Sequence, residues 1–321
     1  MVSVDGALII DKAAGMSSHD VVAQVRKIIG TRRVGHTGTL DPFATGVLVV
    51  LIGKATRLMQ FLSGAEKEYE ALIRLGYATE TGDLTGVPVA GTFIKETHRL
   101  AGMHREEIES ALSSLRGEMD QIPPMYSAKK VKGRKLYELA RRGEEIERAP
   151  VRITISAFAA IERDDNLLKE NEDGTGDLVV RVVCSAGTYI RTLAEDFGKR
   201  LGLGAHLATL RRTRAGCFKI TDAHTLEQIV ELAESGLLER AFISPDATLG
   251  HLPALDLSAN DVRRVLNGMD LQPEHTAWAG GQAVRLRGEC GELTAVGVYD
   301  EALKLVHPRV VLANGSDTLS G

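Results

Sequence analysis

The chain has 321 residues, 44% of them hydrophobic and 26% charged, with a formal net charge of −4. That length and balance predict one large or two ordinary domains with real cores and exclude large-scale disorder, and the charge sum by itself argues against a polyanion partner. The early apolar run at residues 7–10 is too short for a signal-peptide core or a membrane span, which predicts a cytoplasmic protein with no membrane contact.

In chain order, Ser17 or Ser18 caps a helix whose apolar stripe is Val21, Val22, Val25, Ile28 and Ile29, closed by Gly30. Next comes Gly35-His36-Thr37-Gly38-Thr39-Leu40-Asp41-Pro42-Phe43-Ala44-Thr45-Gly46-Val47-Leu48, a Gly- and Thr-rich turn that holds one carboxylate between hydrophobic elements. Gly35 and Gly38 open turn angles closed to other residues, and Pro42 sets φ just after Asp41. Asp followed by Pro is also an ordinary helix start, and taken alone the two readings stand level.

Residues 46–52 are a continuous apolar run, and residues 69–75 alternate so that Tyr69, Ala71, Ile73 and Leu75 share one face; both read as strands. A helix is predicted over 105–116, strands over 151–157 and 178–184, and a second helix over 190–201. Strands and helices intersperse without a strict βαβ rhythm, which favours an α+β sheet with helices on its faces over a dinucleotide-binding fold. Near His251-Leu252-Pro253 the texture changes. Ser258-x-x-Asp261 opens a short helix ended by Gly268, and strands at 283–287, 293–299 and 303–312 predict a small β-barrel.

Charge is unevenly spread. Residues 126–142 carry Lys129, Lys130, Lys132, Arg134, Lys135, Arg141 and Arg142 against Glu138 alone, and residues 206–219 add Arg211, Arg212, Arg214 and Lys219 with no acid. Residues 162–177 hold seven acids and two bases, a stretch expected to be a mobile surface insertion turned away from any polyanion. Cys184, Cys217 and Cys290 lie more than thirty residues apart, giving no metal-ligand pair; buried free thiols are expected. Gly53-Lys54-Ala55 lacks the rest of a P-loop, Gly202-Leu203-Gly204 lacks the third glycine of a dinucleotide site, and the nine histidines show no zinc-ligand spacing. Neither a cofactor nor a metal is expected.

The 35–48 string resembles the signature loop of the TruB family of pseudouridine synthases, which isomerise one uridine, numbered 55, in the T arm of tRNA. Three further strings agree with that family in order: Lys67-Glu68-Tyr69, Cys184-Ser185-Ala186-Gly187-Thr188-Tyr189-Ile190-Arg191 and Ala208-Thr209-Leu210-Arg211-Arg212. The basic stretch from Ile122-Pro123-Pro124 onward is similar to the family's RNA-covering loop. The resemblance implies an α+β fold, a mixed, mainly antiparallel sheet with flanking helices, followed by a PUA-like RNA-binding module. It implies a catalytic domain over 1–250 (basic loop about 122–148, acidic insertion about 162–177), the PUA-like domain over 251–312 and a flexible tail over 313–321.

By the same resemblance Asp41 is the catalytic nucleophile, Arg191 the cation beside it, and Tyr69 the ring that stacks on the flipped base and takes part in proton movement. Tyr189 lies against the substrate, Leu210 lines the base pocket and His36 contacts the RNA. Lys129, Lys130, Lys132, Arg134, Arg211 and Arg212 are assigned to the RNA backbone. The implied partner is the T arm of tRNA, with no obligate protein partner and a monomeric enzyme.

The chemistry fits those residue types. The isomerisation breaks an N-glycosidic bond, turns the base and rejoins it through carbon, without net redox change. A carboxylate can attack base or sugar, or stabilise positive charge at the sugar. In each case it must stay ionised in a fairly dry pocket, which calls for a nearby cation. Extruding the base costs a few kcal/mol, and aromatic stacking returns roughly 1–3 kcal/mol per base. Each residue alone has a plainer reading: Tyr69 and Leu210 as core, Arg191 as a solvated charge. Agreement of the four strings outweighs those readings. The rivals are a non-catalytic RNA-binding or tRNA-folding protein and a guide-RNA-dependent relative. Retention of both Asp41 and Arg191 argues against the first, and the intact basic loop against the second.

Overall fold

A computed structural model describes residues 5–93, 100, 102–127, 129–131, 133–140, 142–144, 146–162, 166–274 and 277–312. Its strands in chain order are β1 Gly6–Lys12, β2 Val34–His36, β3 Thr45–Ile52, β4 Lys67–Leu75, β5 Gly117–Gln121, β6 Lys130–Val131, β7 Arg134–Lys135, β8 Val151–Ala160, β9 Leu168–Glu170, β10 Gly176–Cys184, β11 Ala205–Ala215 and β12 Phe218–Lys219. Ten of these form one sheet in the order β1-β3-β11-β4-β10-β8-β5, with β2 on β3, β9 on β10 and β12 on β11. The pairings are antiparallel except β11 with β3, which run parallel. Strands β6 and β7 make a separate hairpin in the basic loop.

The continuous apolar run of β3 has a direct cause: it is buried on both faces. Leu48, Val50 and Ile52 join the core under the helix Ser18–Ile29, while Val47, Val49 and Leu51 pack with Ala7, Ile9 and Leu249 on the other side. That helix begins at Ser17 with a reciprocal capping box to Asp20 and stops at Gly30, whose φ of 72° is the left-handed turn glycine allows. Along β4, burial strictly alternates and places Lys67, Tyr69, Ala71, Ile73 and Leu75 on the inner face. The helix Ile190–Arg200 lays Leu193, Ala194 and Phe197 on the same core.

The C-terminal strands β13 Ala254–Asp256, β14 Ala283–Arg287, β15 Leu293–Asp300 and β16 Leu305–Val311 form a second sheet in that order, with the helix Ala259–Leu266 capped by Ser258. Leu293, Val296 and Val310 reach into the cluster that holds Val47, Val49 and Leu51, so this module rests on the face of the large sheet opposite the first helix. Among the described residues no helix is long and apolar enough to cross a membrane.

Three expectations change. The basic segment 206–219, expected as a charge excess open to a polyanion, is largely a central strand, β11, whose arginines pair within the protein, Arg211 with Asp11 and Arg214 with Glu66. The acidic stretch is in part an ordered hairpin: β9 pairs with β10, and Asp177 takes two 2.8 Å bonds from Arg74. Residues 163–165 of that stretch and the tail 313–321 lie outside the described residues. Of the three thiols only Cys184 is buried; Cys217 and Cys290 sit on turns and are exposed.

Candidate active site

The 35–48 turn is fastened from both ends. Leu40 N donates to Ser18 Oγ (2.9 Å) and Ser18 Oγ donates to Leu40 O (3.2 Å), so the first turn of the helix grips the loop. Ala44 N closes a tight turn on Asp41 O (3.1 Å) and the chain passes straight into β3; Asp41 caps no helix. Below it the fully buried Lys12 spends its three ammonium donors on Met16 O (2.7 Å), Ala13 O (2.8 Å) and Pro42 O (3.3 Å). Two rigid elements and a buried cation thus hold one carboxylate still.

Arg191, on the first turn of the helix Ile190–Arg200, meets it. Its Nε lies 2.9 Å from Asp41 Oδ2. Its Nη1 donates to Thr81 O (2.9 Å) and Nη2 to Tyr126 O (2.7 Å), and Nη1 stands 3.7 Å from Asp83 Oδ2. Asp83 is itself buried, with Oδ1 saturated by Thr85 N, Thr85 Oγ1 and Thr81 Oγ1, which leaves Oδ2 for the guanidinium. Tyr189 is clamped next door: Gln121 Nε2 donates to Tyr189 O (3.0 Å) and Tyr189 N to Gln121 Oε1 (2.8 Å).

Asp41, Tyr189 and Arg191 line a cavity of about 260 Å³ together with Lys67, Tyr69, Ser127, Leu210 and Arg212. This is just below the range usual for drug-sized ligands, a size suited to one nucleobase and part of its sugar. Asp41 keeps 35% of its side chain open towards it while Arg191 is buried. A second cavity of about 510 Å³ shares Asp41, Ser127 and Arg191 and is bordered by His19, Phe43, Asp83 and Tyr126. A larger hollow of about 760 Å³ lies between residues 78–93 and 195–205, away from Asp41; size alone does not select the site.

Electrostatics set the working states. Burial pushes the Asp41 carboxyl above its ordinary range; the Arg191 guanidinium pulls it back down and Asp83 pushes it up again. Burial lowers Lys12 and Lys67 to about 8. Tyr69 and Tyr189 are both raised by burial and stay neutral phenols. Lys67, Arg191 and Arg212 line the cavity against Asp41, with Lys12 beneath the Asp41 turn and Asp83 behind Arg191. This local cationic excess suits a polyanion despite the acidic whole.

The structure therefore brings Asp41, Tyr69, Tyr189, Arg191 and Leu210 to one cavity, with Tyr69 and Leu210 buried in its wall. His36 does not line it. It ends β2, edge-on to His19 with ring centroids 5.6 Å apart, and burial, followed by His19 and Arg212, lowers it to about 4, so the ring is neutral. Arg211 is bidentate to Asp11 (2.7 and 3.1 Å) and partly exposed. Arg134 pairs with Glu144 at 3.6 Å, and Lys129 is half-buried in the basic loop. The side chain of Lys130 and the whole of Lys132 lie outside the described residues.

Arg212 departs from its expected surface role: it is 2% exposed and bonded to backbone carbonyls. Sequence reasoning missed Asp83, Lys12 and Gln121. The Thr- and Gly-rich run around Asp83 was a visible turn signal, whereas Lys12 and Gln121 gave none.

Known proteins resemble this arrangement along its length. The family model described as TruB family pseudouridylate synthase (N terminal domain) matches residues 26–190, and that of the tRNA pseudouridylate synthase B C-terminal domain matches residues 191–251. A tRNA pseudouridine synthase B of Geobacillus thermodenitrificans is 45% identical over 268 residues, 83% of this chain and 85% of the relative. One of Chromohalobacter salexigens is 42% identical over 297 residues, 92% of this chain and 91% of the relative. Among solved structures, a chain of a Cbf5-Nop10-Gar1 complex superposes with TM-score 0.72 at 28% identity, covering 97% of this chain and 86% of that one. A chain of an H/ACA RNP bound to a substrate RNA containing 2'-deoxyuridine gives 0.70 at 27% identity, covering 96% and 85%.

Proposed function

The chain belongs to the TruB family of pseudouridylate synthases, isomerases that turn uridine into pseudouridine, and we propose that its substrate is tRNA, at the single T-arm uridine numbered 55. The observation that carries this reading is the 2.9 Å pairing of Asp41 with Arg191 at the edge of a nucleobase-sized cavity walled by Tyr69, Tyr189 and Leu210.

In the proposed reaction the target uridine leaves its stack and enters that cavity, where Tyr69 stacks on the base and Leu210 fills its edge. Asp41, kept ionised by Arg191, acts on base or sugar as the N1–C1′ bond breaks. The base turns, C5 bonds to C1′, C5 gives up its hydrogen to solvent and N1 gains a proton, so atoms and electrons balance with no redox cofactor. The neutral ring of His36 suits a contact inside the RNA stack, where a charge would cost desolvation. Lys129, Lys130, Lys132, Arg134 and Arg211 would meet phosphates and release counterions.

Residues 1–250 are proposed as the catalytic domain and 251–312 as a PUA-like RNA-binding domain. We read the chain as a cytoplasmic monomer that works without a guide RNA. The relatives at 42–45% identity carry the name tRNA pseudouridine synthase B, whereas the chains of the Cbf5-Nop10-Gar1 complex and the H/ACA RNP stand at 27–28%. The test is tritium release from transcript tRNA containing 5-tritiated uridine, with the purified chain and no added RNA or protein. One equivalent per tRNA is expected, abolished when uridine 55 is replaced by cytidine. Release that survives the replacement, or that needs an added RNA, overturns the assignment.

A further inference from the structure

Arg212 follows Leu210 on the inner face of β11, since alternate residues of a strand point the same way, while Arg211 between them turns outward to Asp11. Its guanidinium is almost wholly enclosed. Nε donates to Val47 O (2.7 Å), Nη2 to Gly38 O (3.0 Å) and, at the long end of the range, Nη1 to Thr39 O (3.4 Å). Gly38 and Thr39 precede Asp41 and Val47 follows it, so one planar group spans the loop that carries the carboxylate.

The backbone is pinned as well. Arg212 pairs with Gly46 across the parallel β3–β11 junction, and Gly46 adopts φ 101°, where a Cβ would stand 2.2 Å from Arg212 O. The register of β11 against β4 shifts between Arg212 and Arg214, a bulge at this same point. Arg212 also stands directly opposite Tyr69 in the β11–β4 pairing, and both side chains line the same cavity. A single buried fork therefore touches both sides of the Asp41 turn and lies beside the aromatic wall of the cavity.

We propose that Arg212 is a positioning residue: it sets the Asp41 turn and the Tyr69 ring against the base site and takes no part in holding phosphates. Lysine cannot substitute, because an ammonium is a point charge without the rigid fork that reaches several carbonyls at once. A phosphate ligand would behave in the opposite way, since lysine serves a phosphate well. The inference rests on the reading of Asp41 as the catalytic carboxylate.

The test uses the full chain with Arg212→Lys and Arg212→Ala, measured well below the thermal midpoint of each. Single-turnover tritium release at saturating tRNA is compared with tRNA affinity over a salt series. Both variants should lose about 100-fold in rate, the scale of an ångström-sized misplacement, with affinity and salt slope unchanged. Added methylguanidinium should restore at least about a tenth of the lost rate to Arg212→Ala, which a loss of folding alone would not allow. If Arg212→Ala does not fold, Arg212→Lys carries the decision.

An Arg212→Lys enzyme with the wild-type rate overturns the proposal. So does a salt slope reduced by about 0.7–0.9 in Arg212→Ala, the signature of one phosphate fewer neutralised by the protein. Failure of the underlying reading is seen separately, as tritium release by Asp41→Ala with Arg212 intact.

Discussion

Arg191→Lys is the sharpest perturbation of the ion pair, because it keeps the charge and removes the geometry. In the native site one guanidinium contacts Asp41 at 2.9 Å, bonds Thr81 O and Tyr126 O, and stands 3.7 Å from Asp83. A lysine has three donors on one atom and a shorter reach, so it cannot serve four groups spread around a plane. Breaking a fully buried pair costs about 3–5 kcal/mol; with 35% of the Asp41 side chain open and the charge kept, the loss here is about 1.5–3 kcal/mol. If that loss falls on the transition state it is about one to two orders of magnitude in rate.

The pH profile separates this from a folding defect. Asp41 must be ionised to act, so the rate falls as pH drops through its pKa, which burial already holds above the ordinary carboxylate range. Weakening the Arg191 pairing removes the main opposing influence. The acid limb of the single-turnover rate should therefore move to higher pH by about one to three units. Single-turnover tritium release from pH 5 to 9, with tRNA affinity measured in parallel, gives both quantities. A variant within about threefold of wild type, or one whose acid limb stays in place, refutes the argument that Arg191 keeps Asp41 charged.

Tyr69→Leu keeps the apolar wall but removes the ring, and the forfeited stacking of roughly 1–3 kcal/mol predicts a single-turnover rate about 5- to 150-fold lower; an unchanged rate would mean that the base does not stack there. His36, lowered to about 4, should show no ring titration by NMR between pH 5.5 and 8, and His36→Gln should leave the pH dependence of tRNA affinity in that window unaltered; a midpoint near 6.5 contradicts its burial as a neutral ring. Replacing Lys129, Lys130 and Lys132 by alanine should reduce the slope of log affinity against log salt by about 0.7–0.9 for each phosphate that the loop no longer neutralises, and an unchanged slope takes the basic loop out of the interface.

Much of this architecture was legible because its causes are local. The Ser17 cap and Gly30 stop are chemical statements about helix ends, the alternation of β4 follows from a half-polar face, and the unbroken run of β3 follows from burial on both sides. Strand β11 escaped because its buried inner face carries an arginine, Arg212, where the pattern asks for an apolar residue, and its register shifts twice against β4. Strand β1 was noticed only as a run too short for a membrane; its pairing with β3, more than thirty residues away, is invisible in a linear window.

The site divides in the same way. Asp41, Tyr69, Tyr189, Arg191 and Leu210 stood in strings that could be recognised, whereas Asp83, Lys12 and Gln121 acquire meaning only from partners far along the chain. Arg212 shows the limit of counting charges: a basic residue beside others reads as surface until the carbonyls around it are seen.

At the centre stands one claim, that the Asp41 carboxylate does the chemistry. Tritium release from 5-tritiated tRNA, compared between wild type and Asp41→Ala at tRNA concentrations that saturate both, tests it most directly. The account predicts stoichiometric release by the wild type, none by the variant, and tRNA affinity retained in both. Release by Asp41→Ala at a rate near wild type, or no release by either protein, contradicts it.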